Sequence, residues 1–145
     1  MISHRKIVLG AIALGLLSGC AVESGQTITG PSMVNPRYLV FFEWGDDHIN
    51  PQNMDIISRA ATYATDQKWR YPKLVVSGYA DRSGPRAANM RLSKKRAEKV
   101  MDALTRLGVP HGNIAVTWRG ERDNRVPTAD GVREPQNRRV EIVFP

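Results

Sequence analysis

The stretch from Gly78 to Val100, GYADRSGPRAANMRLSKKRAEKV, decides the fold because it joins a buried strand to a long helix. The unbroken apolar run Leu74–Val76 precedes it, and such a run suits a strand that is covered on both faces. A helical pattern begins near Pro85 and ends at Gly108. Loops that join a strand to a helix lie at the C-terminal edge of a sheet, where ligands of α/β folds commonly bind. We therefore expect the ligand site in this loop.

An arginine lies on the apolar face of the predicted helix. Residues four positions apart form this face: Ala88, Leu92, Arg96, Val100 and Leu104. Because an unpaired charge that is removed from water is costly, Arg96 needs a partner, and Asp81 in the preceding loop is one obvious complement. Asn89 lies two turns from Arg96 on the same face and adds a donor and an acceptor.

Upstream of this stretch the sequence predicts one strand and one helix. Tyr38–Trp44, YLVFFEW, is a β-branched and aromatic run that is typical of a strand. Asn50 is a helix N-cap with Pro51 at the first helical position. The apolar face of that helix is predicted to carry Met54, Ile57, Ala61 and Ala64.

Two more strands are predicted downstream, over Ile114–Trp118 and Arg139–Phe144. The element order is therefore βαβαββ. This order predicts an α/β fold with a mixed four-stranded sheet and two main helices packed against it, since no helix separates the last two strands.

The first nineteen residues are predicted to be a signal peptide. His4, Arg5 and Lys6 precede an uncharged segment, Ile7–Leu17, which is shorter than the about 20 apolar residues that a membrane-spanning helix needs. The following Leu17-Ser18-Gly19-Cys20 is similar to the lipobox, in which the cysteine is lipidated after cleavage. Cys20 is the only cysteine, so no intramolecular disulfide can form.

Residues 21–36 are rich in Gly, Ser, Thr and Pro and show no helical or strand period. We therefore predict three parts: a signal peptide over 1–19, a lipidated Cys20 with a flexible tether over 20–36, and one folded domain over 37–145. Ala21 is not the aspartate that retains lipoproteins at the inner membrane in the enteric pattern, which favours the outer membrane.

Composition excludes several other classes of function. The formal charge is +7, and a basic surface suits a carboxylate-bearing polymer or anionic lipid headgroups. An aromatic content of 7% argues against a surface that stacks nucleic-acid bases, so no nucleic-acid partner is expected. His48 and His111 are isolated, and neither a G-x-S-x-G motif nor metal-ligand spacing occurs in the sequence. We expect no enzymatic activity, cofactor or metal.

The chain resembles the OmpA-like domain family, whose signature is Gly-His-Thr-Asp-x-x-Gly followed by Asn-x-x-Leu-Ser-x-x-Arg-Ala. Residues at matching intervals are Asp81, Gly84, Asn89, Leu92, Ser93, Arg96 and Ala97. A later Gly-x-Arg-x-x-x-Asn-Arg-Arg-Val element is matched by Gly131, Arg133, Asn137, Arg138, Arg139 and Val140. The resemblance spans roughly Tyr38 to Phe144.

The resemblance implies a function in the cell envelope. Domains of this family bind the diaminopimelate side chain of the peptidoglycan stem peptide without cleaving it. By similarity, Asp81 would accept from the ligand ammonium and Arg96 would donate to its carboxylate, an assignment that suits an acceptor-only carboxylate and a planar guanidinium. The other expected ligand-binding residues are Asn89, Leu92, Ala80, Gly84, Trp44 and Arg138.

The sequence departs from the family signature at two places, and several alternative interpretations stay open. Tyr79 and Ala80 replace the usual His-Thr pair, which removes a hydroxyl near the ligand, and Gly45 stands where an aspartate is common. The segment Asn137–Arg139 either contacts the ligand or protects an edge strand with charge. The chain is predicted to be an outer-membrane lipoprotein whose domain faces the periplasm. The competing classes are an adaptor that docks Tol-type envelope proteins and a cell-wall enzyme.

Overall fold

The computed structural model describes residues 36–66 and 73–145, and the predicted leader, Cys20 and all but the last residue of the predicted tether lie outside these ranges. The elements are β1 (Arg37–Phe41), α1 (Pro51–Thr65), β2 (Leu74–Tyr79), α2 (Arg86–Arg106), β3 (Ile114–Gly120) and β4 (Arg139–Val143). Short 3₁₀ turns precede β3 and β4, at His111–Asn113 and Pro135–Asn137. In the described ranges no helix combines the length and apolar character that a membrane crossing needs.

The four strands form one sheet in the order β1-β4-β2-β3. β2 and β3 are parallel, whereas β4 runs antiparallel to both of its neighbours, β1 and β2. The predicted mixed four-stranded sheet with two helices is therefore confirmed. β4 is an interior strand, so the alternative in which Asn137–Arg139 protects an edge strand is wrong.

One face of the sheet packs against both helices. Alternation along the strands places Val40, Val76, Val140 and Ile142 on this face, and all four are fully buried. The helices contribute mainly small and aliphatic residues to the same core: Ile57, Ala60, Ala61, Ala97, Val100, Ala103 and Leu104. Val75, on the opposite face of β2, is only half-buried, so the prediction that β2 is covered on both faces is wrong.

A close approach of α2 to β2 fixes where the loop between them lies. Gly78 faces α2, and a Cβ atom at this position would lie 2.0 Å from the backbone oxygen of Ser93. Only a residue without a side chain allows this separation. The Ser93 hydroxyl in turn accepts a hydrogen bond from the Gly120 N–H at 2.9 Å, which ties the same turn of α2 to the end of β3.

The N-terminus of α1 forms as predicted, but its buried face differs. The Asn50 side chain accepts from the Asn53 N–H at 2.8 Å, and Pro51 begins the helix. Asn53 is buried, and its side chain is satisfied there by donating to the Phe41 carbonyl at 2.9 Å. Met54, in contrast, is 37% exposed. The predicted stripe through Met54 is therefore rotated by one residue toward Asn53.

β1 ends earlier than predicted, at Phe41 rather than Trp44. The Phe42 N–H still donates to the Arg138 carbonyl at 2.9 Å, but the chain then turns, and the Glu43 carbonyl accepts from the Asp46 N–H. This turn carries Trp44 and Asp47 over the end of the sheet, where they form one wall of a cleft. α2 ends as predicted, with Gly108 at φ +97° directly after its last turn.

Candidate functional site

A cleft of about 390 Å³ opens at the end of the sheet where β1 and β2 finish. Three segments and one side chain form it: the turn after β1, the loop between β2 and α2, the first three turns of α2, and Arg138. Its lining residues are Trp44, Gly45, Asp47, Asp81, Ser83, Gly84, Ala88, Asn89, Arg91, Leu92, Lys95, Arg96 and Arg138. Seven of the eight ligand-binding residues predicted from the sequence lie among them.

Asp81 is the buried acidic group of the cleft. It is 3% exposed, and its Oδ1 accepts from the Ser83 hydroxyl at 2.5 Å and from the Ser83 N–H at 3.3 Å. Its Oδ2 accepts from the Glu134 N–H and from Nη1 of Arg138, both at 3.2 Å. Burial raises the pKa of Asp81, but these hydrogen bonds outweigh it and hold the pKa below its usual value. Asp81 is therefore ionised at neutral pH.

Arg96 is fully buried under the cleft and binds three backbone carbonyls. Its Nε donates to the Asp46 carbonyl at 2.8 Å, Nη1 to the Tyr79 carbonyl at 3.1 Å and Nη2 to the Glu43 carbonyl at 2.9 Å. These bonds fix the turn after β1 to the end of β2. Burial lowers the pKa of Arg96 to about 10, so the guanidinium keeps its charge at neutral pH.

The expectation that Asp81 is the direct partner of Arg96 is wrong. Asp81 forms its ion pair with Arg138, which also donates from Nε to the Phe42 carbonyl at 3.1 Å. The charge of Asp81 still raises the pKa of Arg96 through space, although burial dominates the net shift. Asp81 and Arg96 thus share one cleft and one electrostatic environment without a hydrogen bond between them.

The other predicted residues differ in where they lie. Asn89 lines the cleft, but its side-chain nitrogen already donates to the Gly84 carbonyl at 3.0 Å and to Oε2 of Glu121 at 2.7 Å. Leu92 and Gly84 also line the cleft. Ala80 does not: it is buried, and its N–H donates to the Gly120 carbonyl at 2.7 Å, so it holds the loop to β3.

Trp44 forms an exposed wall of the cleft. Its ring is 52% exposed, and Nε1 donates to the Ser83 hydroxyl at 2.9 Å. Since Ser83 also donates to Asp81, the hydroxyl connects the indole to the buried carboxylate. The guanidinium of Arg133 lies over the indole ring, 3.6 Å from its centroid, in a cation–π contact.

Sequence reasoning missed several lining residues. Asp47 pairs with Lys99 at 2.6 Å, and the hydrogen bond from Lys99 lowers the pKa of this carboxyl. Lys95 and Arg91 are exposed residues of α2 at the cleft. Lys95 follows Leu92 by three residues, and this helical spacing places it next to the apolar face. That spacing was the signal in the sequence that could have identified Lys95 as a cleft residue. Two carboxylates and four cationic side chains therefore line the cleft, an arrangement that suits a ligand carrying both charges.

The described residues contain no group of His, Cys, Asp or Glu side chains that could hold a metal ion. The domain is thus a mixed sheet with two helices and a charged cleft at one end of the sheet. Residues 41–138 match the OmpA family, and the chain belongs to that family.

Curated relatives and solved structures agree with this assignment. An outer membrane protein of Gluconacetobacter diazotrophicus is 42% identical over 113 residues, which are 74% of this chain but 29% of that protein. The peptidoglycan-associated lipoprotein of Brucella melitensis is 31% identical over 146 residues, 98% of this chain and 82% of that protein. The crystal structure of the peptidoglycan-associated lipoprotein from Burkholderia pseudomallei has a TM-score of 0.67 at 26% identity, and the match covers 74% of this chain and 90% of that one. This chain spans less than half the length of the outer membrane proteins that it matches.

Proposed function

We propose that this chain binds peptidoglycan non-covalently through the cleft and holds the outer membrane to the cell wall. The observation that carries the proposal is that Asp81 and Arg96, which are predicted to contact opposite ends of a zwitterionic ligand, line one cleft of about 390 Å³. Relatives named peptidoglycan-associated lipoprotein support it. The ligand we propose is the amino-acid end of the diaminopimelate side chain in the stem peptide.

Asp81 receives the ligand ammonium in this proposal. A carboxylate offers about four lone-pair sites, and four donors already use those of Asp81. One donor must therefore leave when an ammonium arrives. The Ser83 hydroxyl is the candidate, because a hydroxyl rotates away at little cost and stays bonded to the Trp44 indole, whereas the Glu134 N–H is fixed by its backbone.

Arg96 attracts the ligand carboxylate. A guanidinium has five N–H groups, and three of them bind carbonyls here, so two remain for a ligand. No carboxylate in residues 36–66 or 73–145 forms an ion pair with Arg96, so its charge is not neutralised by direct contact. The exposed Lys95 and Arg91 strengthen the positive potential on the same side of the cleft.

The affinity of one site for one stem peptide is expected to be modest. Each hydrogen bond to a charged group contributes about 1.5–3 kcal/mol net, and ordering the ligand offsets part of that gain. Many stem peptides on one polymer then raise the overall affinity by avidity. We propose binding without cleavage, in which the charged groups of the cleft position the ligand.

Sedimentation with purified peptidoglycan sacculi tests the cleft. We expect the full chain to sediment, Asp81→Asn to bind at least about tenfold more weakly, because one charged contact of 1.5–3 kcal/mol is lost, and Arg96→Lys to bind more weakly as well. Asp102→Asn and Arg106→Lys, on exposed positions of α2, are the matched controls and should bind as wild type does. Wild-type sedimentation of both cleft variants would refute the proposal. Release of soluble wall fragments during the assay would support an enzyme instead.

Membrane attachment is a separate part of the proposal. Residues 1–19 act as a signal peptide, Cys20 carries the lipid, and residues 21–36 form a tether that reaches at most about 58 Å at 3.3–3.6 Å per residue. At least two acyl chains give stable anchoring. In a Gram-negative host, radiolabelled palmitate should enter the wild-type chain and should not enter Cys20→Ser, which should appear in the soluble periplasmic fraction. Labelling of Cys20→Ser would refute the anchor.

A role as an adaptor for Tol-type envelope proteins is compatible with wall binding. The two are separated by crosslinking in cells that produce either the wild type or Asp81→Asn. If partner proteins are captured equally by both while sacculus binding is lost, docking uses a surface other than the cleft.

A further inference from the structure

A second cavity lies on the sheet face opposite the helices. It has a volume of about 410 Å³, and the side chains that matter for its chemistry are Arg37, Asn124, Arg125, Arg139 and Glu141. Arg138 and Arg139 are neighbours in the chain, yet Arg138 lines the first cleft and Arg139 lines this cavity. The alternation of side chains along an extended segment explains why they face opposite sides.

Arg139 is held rigidly in this cavity at 4% exposure. Nε donates to Oε1 of Glu141 at 2.8 Å, Nη2 donates to the Asp123 carbonyl at 3.2 Å, and the guanidinium lies 3.8 Å from the centre of the Tyr79 ring. Its Nη1 is buried and has no hydrogen-bond partner among the described residues. A buried N–H group of a guanidinium that is left without a partner costs free energy, so its retention needs an explanation.

Asn124 lines the same cavity and carries a second set of unused groups; it also lines a neighbouring cavity with Thr128, whose buried hydroxyl is likewise unpaired among the described residues. Both Oδ1 and Nδ2 of the Asn124 amide are buried, and neither finds a partner within the part of the chain that the structure describes. The backbone that positions Asn124 is constrained on both sides. Asp123 adopts φ +58°, in the left-handed region, and Val126 exchanges two hydrogen bonds with the Asn137 side chain, at 2.9 and 2.7 Å. Asn124 is thus held in place while its amide stays unpaired.

The electrostatics of this cavity favour an anion with one charge. Arg37 and Arg139 both lie near Glu141, at 3.6 and 2.8 Å, so one carboxylate faces two guanidiniums. Arg125 is exposed at the rim and forms no ion pair in residues 36–66 or 73–145. Asp123 turns its carboxylate toward Arg119, 3.8 Å away. Asp123 also lines the cavity, so three arginines (Arg37, Arg125 and Arg139) and two carboxylates (Asp123 and Glu141) give the lining a net charge of +1.

We propose that this cavity is a second binding site and that it takes a carboxylate attached to an amide, the chemistry of an N-acyl amino acid or a peptide C-terminus. The free Nη1 of Arg139 supplies donors for the carboxylate. The Asn124 amide, with one acceptor and two donors, pairs with the ligand amide. A volume of about 410 Å³ suits a ligand of one or two residues. One ligand that reaches both residues would satisfy the unpaired groups of Arg139 and Asn124, whereas the Thr128 hydroxyl lies at the neighbouring cavity.

Titration of the full chain with racemic N-acetylalanine tests this site. Selective ¹⁵N labelling of asparagine makes the Asn124 side-chain amide visible by NMR, and we expect its signal to shift saturably. Asn124→Ala and Arg139→Lys should each weaken binding about tenfold, the loss expected for one amide pair or one charge-assisted hydrogen bond. Arg106→Ala, an exposed arginine at the end of α2, should bind as the wild type does.

Stability separates a binding role from a structural one. The Asn124 side chain has no hydrogen bond to lose among the described residues, so Asn124→Ala should leave the thermal midpoint unchanged or raise it while binding is lost. The proposal is overturned if the Asn124 signal does not shift, or if acetate alone binds as well as N-acetylalanine. It is also overturned if Asn124→Ala lowers the thermal midpoint and leaves binding intact. These readouts do not depend on sacculus binding through the first cleft.

Discussion

Replacing Arg96 measures what its carbonyl contacts contribute to stability. Arg96→Met keeps most of the side-chain volume but leaves the Glu43, Asp46 and Tyr79 carbonyls without their donor. The Tyr79 contact is buried and the other two are partly buried. Assigning about 2–3 kcal/mol to the buried carbonyl and about 0.5–1 kcal/mol to each of the others gives a loss of about 3–5 kcal/mol.

Urea unfolding followed by circular dichroism provides the assay. With a denaturant slope of about 1.5–3 kcal/mol per molar, the midpoint of Arg96→Met should fall by roughly 1–3 M while the slope stays the same. Arg106→Met, at the exposed end of α2, should change stability by no more than about 0.5 kcal/mol. The reasoning is refuted if Arg96→Met unfolds within about 1 kcal/mol of the wild type, because relief of the guanidinium's desolvation would then balance its hydrogen bonds.

Three further predictions concern the sheet, the cleft and the loop before β4. Gly78→Ala places a methyl carbon 2.0 Å from the Ser93 carbonyl oxygen, so calorimetry should show a thermal midpoint lower by about 10 °C or more. Because the pKa of Asp81 is lowered in the folded protein, its ionisation stabilises the fold above the unfolded pKa of about 3.9, and this stabilisation is lost as pH falls through the folded value. In urea unfolding, the difference in stability between the wild type and Asp81→Asn should therefore shrink below about pH 4 rather than stay constant. Asn137→Ala removes both hydrogen bonds to the loop, so limited trypsin digestion should cut faster at Arg125, and an unchanged rate would contradict that role.

Local signals in the sequence predicted the elements well, because helix ends are decided within a few residues. Asn50 with Pro51 begins α1, and Gly108 follows the end of α2, as capping chemistry requires. The length of β1 was overestimated because its propensity continues to Trp44, whereas the turn is imposed by Arg96, about fifty residues away. The order of the strands was not predictable for the same reason: pairing of β4 between β1 and β2 joins distant parts of the chain.

For the candidate site, the sequence predicted which residues take part but not which of them contact each other. The spacing of the motif identified Asp81 and Arg96 as neighbours in one cleft, and they are. Periodicity did not reveal that Arg138, 57 residues further on, takes the direct contact with Asp81. Asp47 was missed because the turn after β1 carries no period, and only the folded chain brings it to Lys99.

The segment Asn137–Arg139 explains why a short polar motif can support several functions at once. Its three side chains are all buried, and each serves a different part of the molecule. Asn137 holds the loop at Val126, Arg138 holds Asp81 in the first cleft, and Arg139 reaches the opposite face. Burying three polar side chains in a row is costly unless each is satisfied, and of the three only Arg139 retains a buried nitrogen without a partner in the part of the chain that the structure describes. Contacts within the protein explain why Asn137 and Arg138 are buried. The unpaired Nη1 of Arg139 has no such explanation, and it is the observation that supports a second ligand.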